Sequence, residues 1–206
     1  MSDLITMSGG PSSLKQPDGV RGEILRIGQQ MDLMVTHLHG ELKELASRGQ
    51  LFYAASQAAT TTTIALAATY TGLCLSNPAG NTMNLTPRML GVALSVAPAG
   101  IAAIALGGGF VAAGVVTHTT PLTAANCQLG NAAAPTGKAD AAATLVGTPA
   151  VMMPLENGFT AGALYAGRGM FNLAGAPSIK PGGYIFVYTL TVVVGLFGIW
   201  WTEEPV

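Results

Sequence analysis

Residues 184–201 read YIFVYTLTVVVGLFGIWW, a run with no charged residue. A transmembrane helix needs about 20 apolar residues, so this run is close to spanning length. Trp200 and Trp201 at its end resemble an interfacial aromatic belt. Three features point instead to strands. Pro181-Gly182-Gly183 forms a turn rather than a helix start, and Thr189, Thr191 and Val192 to Val194 favour extended backbone. Gly195 and Gly198 then divide the run into two pieces of strand length. The reading is two core strands, with a span from Tyr184 to Trp201 as its rival.

Upstream the apolar period is also two. In Thr62 to Tyr70, Ile64, Leu66, Ala68 and Tyr70 face one way. Leu73 and Leu75 belong to a second short strand, closed by the turn cluster Asn77-Pro78-Ala79-Gly80-Asn81. In Arg88 to Pro98, Leu90, Val92, Leu94 and Val96 alternate with smaller residues. Further strands are expected over Ile101 to Leu106, Val111 to Thr119, Leu145 to Leu155 and Met170 to Leu173. Pro121, Pro135, Pro149, Pro154 and Pro177 exclude long helices. Short strands at regular spacing without a fixed-period repeat imply an all-β sandwich or jelly roll over residues 50–206.

The first 49 residues are different. Residues 1–19 contain Gly9, Gly10, Pro11, Ser12, Ser13, Pro17 and Gly19, a composition that cannot bury enough apolar surface to offset ordering. They read as a flexible arm. Residues 20–49 read as one amphipathic α-helix. Ile24, Ile27, Met31, Met34 and Leu38 follow a 3-4-3-4 spacing, and Leu42 and Leu45 continue the stripe after a stutter. Gly49 is placed to stop the helix. The stripe suits either a helix lying on its own domain or a bundle of helices from several subunits.

Charge excludes some functions. Of the 206 residues only 9% are charged, against roughly 25% in a soluble domain. A surface with few charges to keep copies apart suits large subunit contacts. The formal net charge of -1 lacks the footprint of a nucleic-acid binder, so no nucleic-acid partner is expected. The opening MSDLITMSGGPSS has no basic start and apolar run, so no secretory signal is expected. Cys74 and Cys127 read as small buried hydrophobes in a reducing compartment.

Chemistry finds little purchase. Gly107-Gly108-Gly109 with Ala112 matches a loose dinucleotide-binding pattern, but a β-branched segment follows and the first acid is Asp140. A glycine-rich connection between strands is the better reading. His37 and His39 point to different helix faces and cannot share a metal, and His118 has no acidic or cysteine neighbour in sequence. After residue 50 the only acids are Asp140, Glu156, Glu203 and Glu204, and no nucleophile motif is present. The expectation is a protein with no catalytic residue, no cofactor and no metal.

One resemblance adds a setting. GQLFYAASQAATTTTIALAATYTGLCLSNPAG (49–80), GVALSVAPAGIAAIAL (91–106), AAGVVTHTTPLT (112–123), PGGYIFVYTLT (181–191) and the closing WTEEPV (201–206) resemble a family of tailed-bacteriophage virion proteins. The resemblance covers about three quarters of the chain. It implies a jelly roll that assembles as a homotrimer in the virion, most simply a capsid decoration or cement protein contacting the major capsid protein or another virion protein. A fibre, neck or tail appendage is the alternative within the same setting. In that reading Tyr184, Phe186, Tyr188, Leu190, Trp200 and Trp201 supply core and subunit contacts. The helix from Ile24 to Leu45 docks on the shell or bundles at the three-fold axis.

Overall fold

In the computed structural model the uncharged run at the C-terminus forms two strands, β11 (Gly183–Thr189) and β12 (Val194–Pro205). Residues 41–64, 66–112, 116–159 and 169–206 are described. The break between the strands falls at residues 190–193, not at the glycines. Gly195 and Gly198 lie inside β12, which corrects the sequence reading. The reason is a close approach: the indole of Trp200 lies across Gly91 and Gly198, with Cζ3 3.2 Å from where Gly91 would carry a Cβ. Glycine in a strand leaves room for such a neighbour. Among the described residues, no helix is long and apolar enough to cross a membrane.

The remaining elements are α1 (Glu41–Ser47), β1 (Leu51–Ala55), β2 (Thr60–Thr61), β3 (Thr69–Ser76), β4 (Met83–Leu94), β5 (Ala102–Phe110), β6 (Thr117–Pro121), β7 (Ala124–Asn126), β8 (Lys138–Thr144), β9 (Ala150–Phe159) and β10 (Met170–Asn172). One antiparallel sheet runs β10-β4-β12-β1-β7, with β2 beside β12, and the other runs β6-β8-β3-β11-β5-β9. Eight strands, taken in chain order, form the framework: β1, β3, β4, β5, β9, β10, β11 and β12. They give the four-strand cores β10-β4-β12-β1 and β3-β11-β5-β9. Successive strands cross from sheet to sheet except for β5 and β9. That is the jelly-roll arrangement, a β-sandwich. The segment between β5 and β9 widens both sheets, with β7 joining β1 and with β8 and β6 extending beyond β3.

Period-two alternation fills the space between the sheets. Phe52, Leu73, Leu75, Leu90, Ile104, Leu106, Ile185, Val187, Phe197, Ile199 and Trp201 form one buried cluster. Trp201 meets Phe52 with ring centroids 6.2 Å apart. Interdigitation of two inner faces is what holds a sandwich together. A second cluster lies on the outer face of the β3-β11-β5 sheet. There Tyr70, Cys74, Tyr184 and Phe186 are covered by Val116, Leu145 and Val146.

Several strand boundaries move. Thr62 to Tyr70 is not one strand: Thr62 Oγ1 pairs with Thr189 Oγ1 at 2.7 Å, and Thr63 Oγ1 with Thr71 Oγ1 at 2.8 Å. The backbone N–H groups of Thr62 and Thr63 bond to Val193 O and Thr71 O, so the two residues turn to different neighbours, and Ile64 and Leu66 end exposed. The strand expected over Val111 to Thr119 begins only at Thr117. That expected over Leu145 to Leu155 begins at Ala150, after Gly147 turns with a φ of 71°. Gly107-Gly108-Gly109 is part of β5 and not a connection. The strands β1 and β8 have no counterpart in the sequence reading.

The arm over residues 1–19 and the stripe residues Ile24, Ile27, Met31, Met34 and Leu38 lie outside the described residues. The end of the expected helix is present as α1, with Leu42 and Leu45 half-buried. Gly49, at a φ of 69°, stops it: Gly49 N–H donates to Ala46 O and Gln50 N–H to Leu45 O. This is a left-handed glycine cap of the Schellman type.

Candidate functional site

The outer face of the β10-β4-β12-β1-β7 sheet is set by register. One row across it is Met170, Gly91, Gly198 and Ala55; the next is Asn172, Met89, Trp200, Tyr53 and Ala125. Ala93 and Leu196 pair in a third position. Asn172, the hydroxyl of Tyr53 and the indole N–H of Trp200 are the polar groups, and none of these residues is charged. Antiparallel sheets with one face in water normally alternate polar residues outward. Here small and large apolar residues take those positions. Trp200 and Tyr53 are half-buried within their own subunit, while Met170 and Leu196 are exposed. An ion pair, Arg88 Nη2 to Glu204 Oε1 at 3.5 Å, lies beyond the row of Trp200.

One end of the sandwich continues this character. Ser95 N–H donates to Val194 O, Thr191 Oγ1 to Ile101 O, and Thr62 N–H to Val193 O. These bonds join the connections that follow β2, β4 and β11. The joined end exposes Ile64, Leu66, Val96, Leu190, Val192 and, at 75%, Ile101.

The residues singled out by sequence separate by burial. Tyr184, Phe186 and Trp201 are core, each 1% exposed or less. Tyr188 and Trp200 are half-buried, and Leu190 is 61% exposed. Tyr184 Oη donates to Val146 O at 2.6 Å, and burial pushes its pKa up to about 12. Tyr70 Oη donates to Val187 O at 2.6 Å, and burial raises its pKa well above the ordinary value.

A polar pair absent from the sequence reading lies on the other sheet. His118 of β6 and Asp140 of β8 approach with Nδ1 and Oδ2 2.7 Å apart. They are separated by 22 residues, so only strand pairing brings them together. Asp140 is fully buried, and its Oδ1 has no partner among the described residues. Burial raises its pKa, while the hydrogen bond and charge of His118 and the charge of Lys138 act the other way. Cys74 pairs in register with Asp140. Burial, with the carboxylate adding to it, holds the Cys74 thiol well above its ordinary pKa. A nucleophilic cysteine needs the opposite shift. The trio therefore reads as a buried structural pair beside an inert thiol. A cavity of about 440 Å³ borders His118 and Lys138, walled by Pro121, Leu122 and Pro135.

A second cavity of about 610 Å³ lies between Phe110, Met152, Ile179, Lys180 and Tyr184. Its walls are mostly apolar, Lys180 being the charged residue among them, and it gathers no pair of acid and base. Among the described residues, no three His, Cys, Asp or Glu side chains converge as metal ligands. The chain matches no family model, no curated protein and no solved structure.

Proposed function

We propose that this chain is a non-enzymatic structural protein of a tailed-bacteriophage particle. It works as a homotrimer that decorates and cements the capsid shell, against the major capsid protein or another virion protein. The observation that carries the reading is the uncharged rows around Gly91, Met89, Trp200 and Leu196 on the β10-β4-β12-β1-β7 sheet, with the adjoining apolar end at Ile101 and Leu190. Between Arg48 and Arg88, and again between Arg88 and Lys138, the sequence has no charged residue. A surface so poor in charge is suited to being covered. The resemblance to virion proteins supplies the setting.

The test is the molar mass of the full chain by light scattering in detergent-free buffer, followed by co-sedimentation with phage heads prepared without it. The expected result is three times the 20.9 kDa subunit mass, with retention on the heads. A monomer that stays in the supernatant would overturn the reading.

A further inference from the structure

We infer that the outer face of the β10-β4-β12-β1-β7 sheet is the surface through which copies of this chain meet. The inference rests on the self-assembly reading above and assigns a location to it. Both sheets carry apolar outward positions, but they differ in cover. On the β3-β11-β5 sheet the chain itself covers Tyr70, Tyr184 and Phe186. On the other sheet Met170, Ala93 and Leu196 are exposed and Trp200 is half-buried, the Cζ3–Cη2 edge of its indole lying over Gly91 and Gly198. An indole packed against two glycines is held in place by the strand backbone beneath it. Aromatic side chains of this kind are favoured anchors in interface centres.

Charge and area select the occupant. An uncharged face asks for no opposite charge from a partner, and an identical face or the adjoining apolar end meets that requirement. Among the described residues no Lys or Arg stands in its rows, and Arg88, at the bordering end, is paired with Glu204. The described rows therefore give an anionic lipid surface little to bind. Strands about 4.8 Å apart, with outward positions about 6.8 Å apart, give about 33 Å² per position, so the rows of four, five and two positions make a face of about 360 Å². That is about half of the roughly 800 Å² each partner gives to a stable interface. The face continues through Leu196 toward the exposed end at Val192 and Leu190, which adds further apolar surface.

The experiment is the light-scattering mass of the full chain beside Ala93→Glu with Met170→Glu, and beside Leu196→Lys alone. All three positions are exposed, so a charge there is compatible with the fold, which far-UV circular dichroism and the melting transition verify. Leu129→Glu, at a position 84% exposed in the connection after β7, is the control. The expected result is an oligomer for the wild type and the control, and a folded species of subunit mass for the face variants. If the wild type is an oligomer and the folded face variants keep its mass, this face is not the interface, while self-assembly stands. A wild-type monomer overturns both, and one that floats with phosphatidylcholine vesicles identifies the face as a lipid surface instead.

Discussion

The ring of Phe186 fills the space in which Gly107 would carry a side chain. A Cβ at Gly107 would lie 2.8 Å from both Cε1 and Cε2 of Phe186, and the two residues are direct partners across β5 and β11. Tyr184 stands over Gly109 in the same way, with Cζ 2.6 Å from the Cβ position. Two glycines on one strand and two aromatic rings on the next thus form one packing unit. Gly107→Ala is expected to destabilise the fold by about 1–3 kcal/mol, the usual cost of overpacking. Combined with Phe186→Leu, it is expected to cost less than the two changes summed, because the smaller side chain vacates the disputed space. Urea unfolding of the two single variants and the double variant measures the coupling; strict additivity would show that the ring and the glycine are independent.

Glu203 ties the long connection before β8 to the last strand. Its carboxylate accepts from Thr136 Oγ1 at 2.7 Å, from Gly137 N–H at 2.9 Å and from Trp201 Nε1 at 3.1 Å. Thr136 N–H adds bonds of 2.9 and 3.0 Å to the two oxygens. Glu203→Ala leaves the indole and backbone donors without this acceptor, and unsatisfied donors cost about 1–3 kcal/mol where water cannot replace the partner. The expected outcome is a lower urea midpoint and faster proteolysis within residues 127–137. An unchanged midpoint would mean that water replaces the carboxylate at no cost.

How much of this was legible in sequence depended on whether a signal was local. Alternation of Leu90 and Val92, and of Phe197, Ile199 and Trp201, is local, and those residues do line the core. The stop at Gly49 is local too. The glycine column is not: Gly107 and Gly109 look like a loop until Phe186 and Tyr184, many residues later, are laid beside them. Gly198 looks like a break until Trp200 folds over it. Thr62 and Thr63 look like strand, yet their hydroxyls find Thr189 and Thr71. His118 and Asp140 meet only through the pairing of β6 with β8. The strand β8, KADAAAT, is dominated by alanine, whose small side chain gives alternation almost no contrast.

The two cysteines are expected to be silent in the native protein. Cys74 is fully buried with its thiol pushed up, and burial lifts Cys127 to about 11. Thiolate is the reacting form, so little of either is available near neutral pH. Titration with a chromogenic disulfide should give negligible fast reaction in buffer and two thiols in denaturant. Rapid stoichiometric reaction of the native chain would contradict the burial of Cys74.

Asp140 makes stability depend on pH in a definite direction. Its pKa in the folded chain is raised above the ordinary 3.8, chiefly by burial. Between the unfolded and folded values the native state therefore holds the extra proton. By linkage, stability falls as pH rises through that window, and above the raised pKa the full cost of the buried charge is present. Asp140→Asn removes the charge while its amide oxygen still accepts from His118 Nδ1–H. The variant is expected to melt higher than the wild type near neutral pH, with the difference shrinking as the pH is lowered toward about 4. Thermal melts of both proteins from about pH 4 to pH 8 decide it. A variant that melts lower at neutral pH would show that the ionised carboxylate and His118 stabilise one another by more than burial costs.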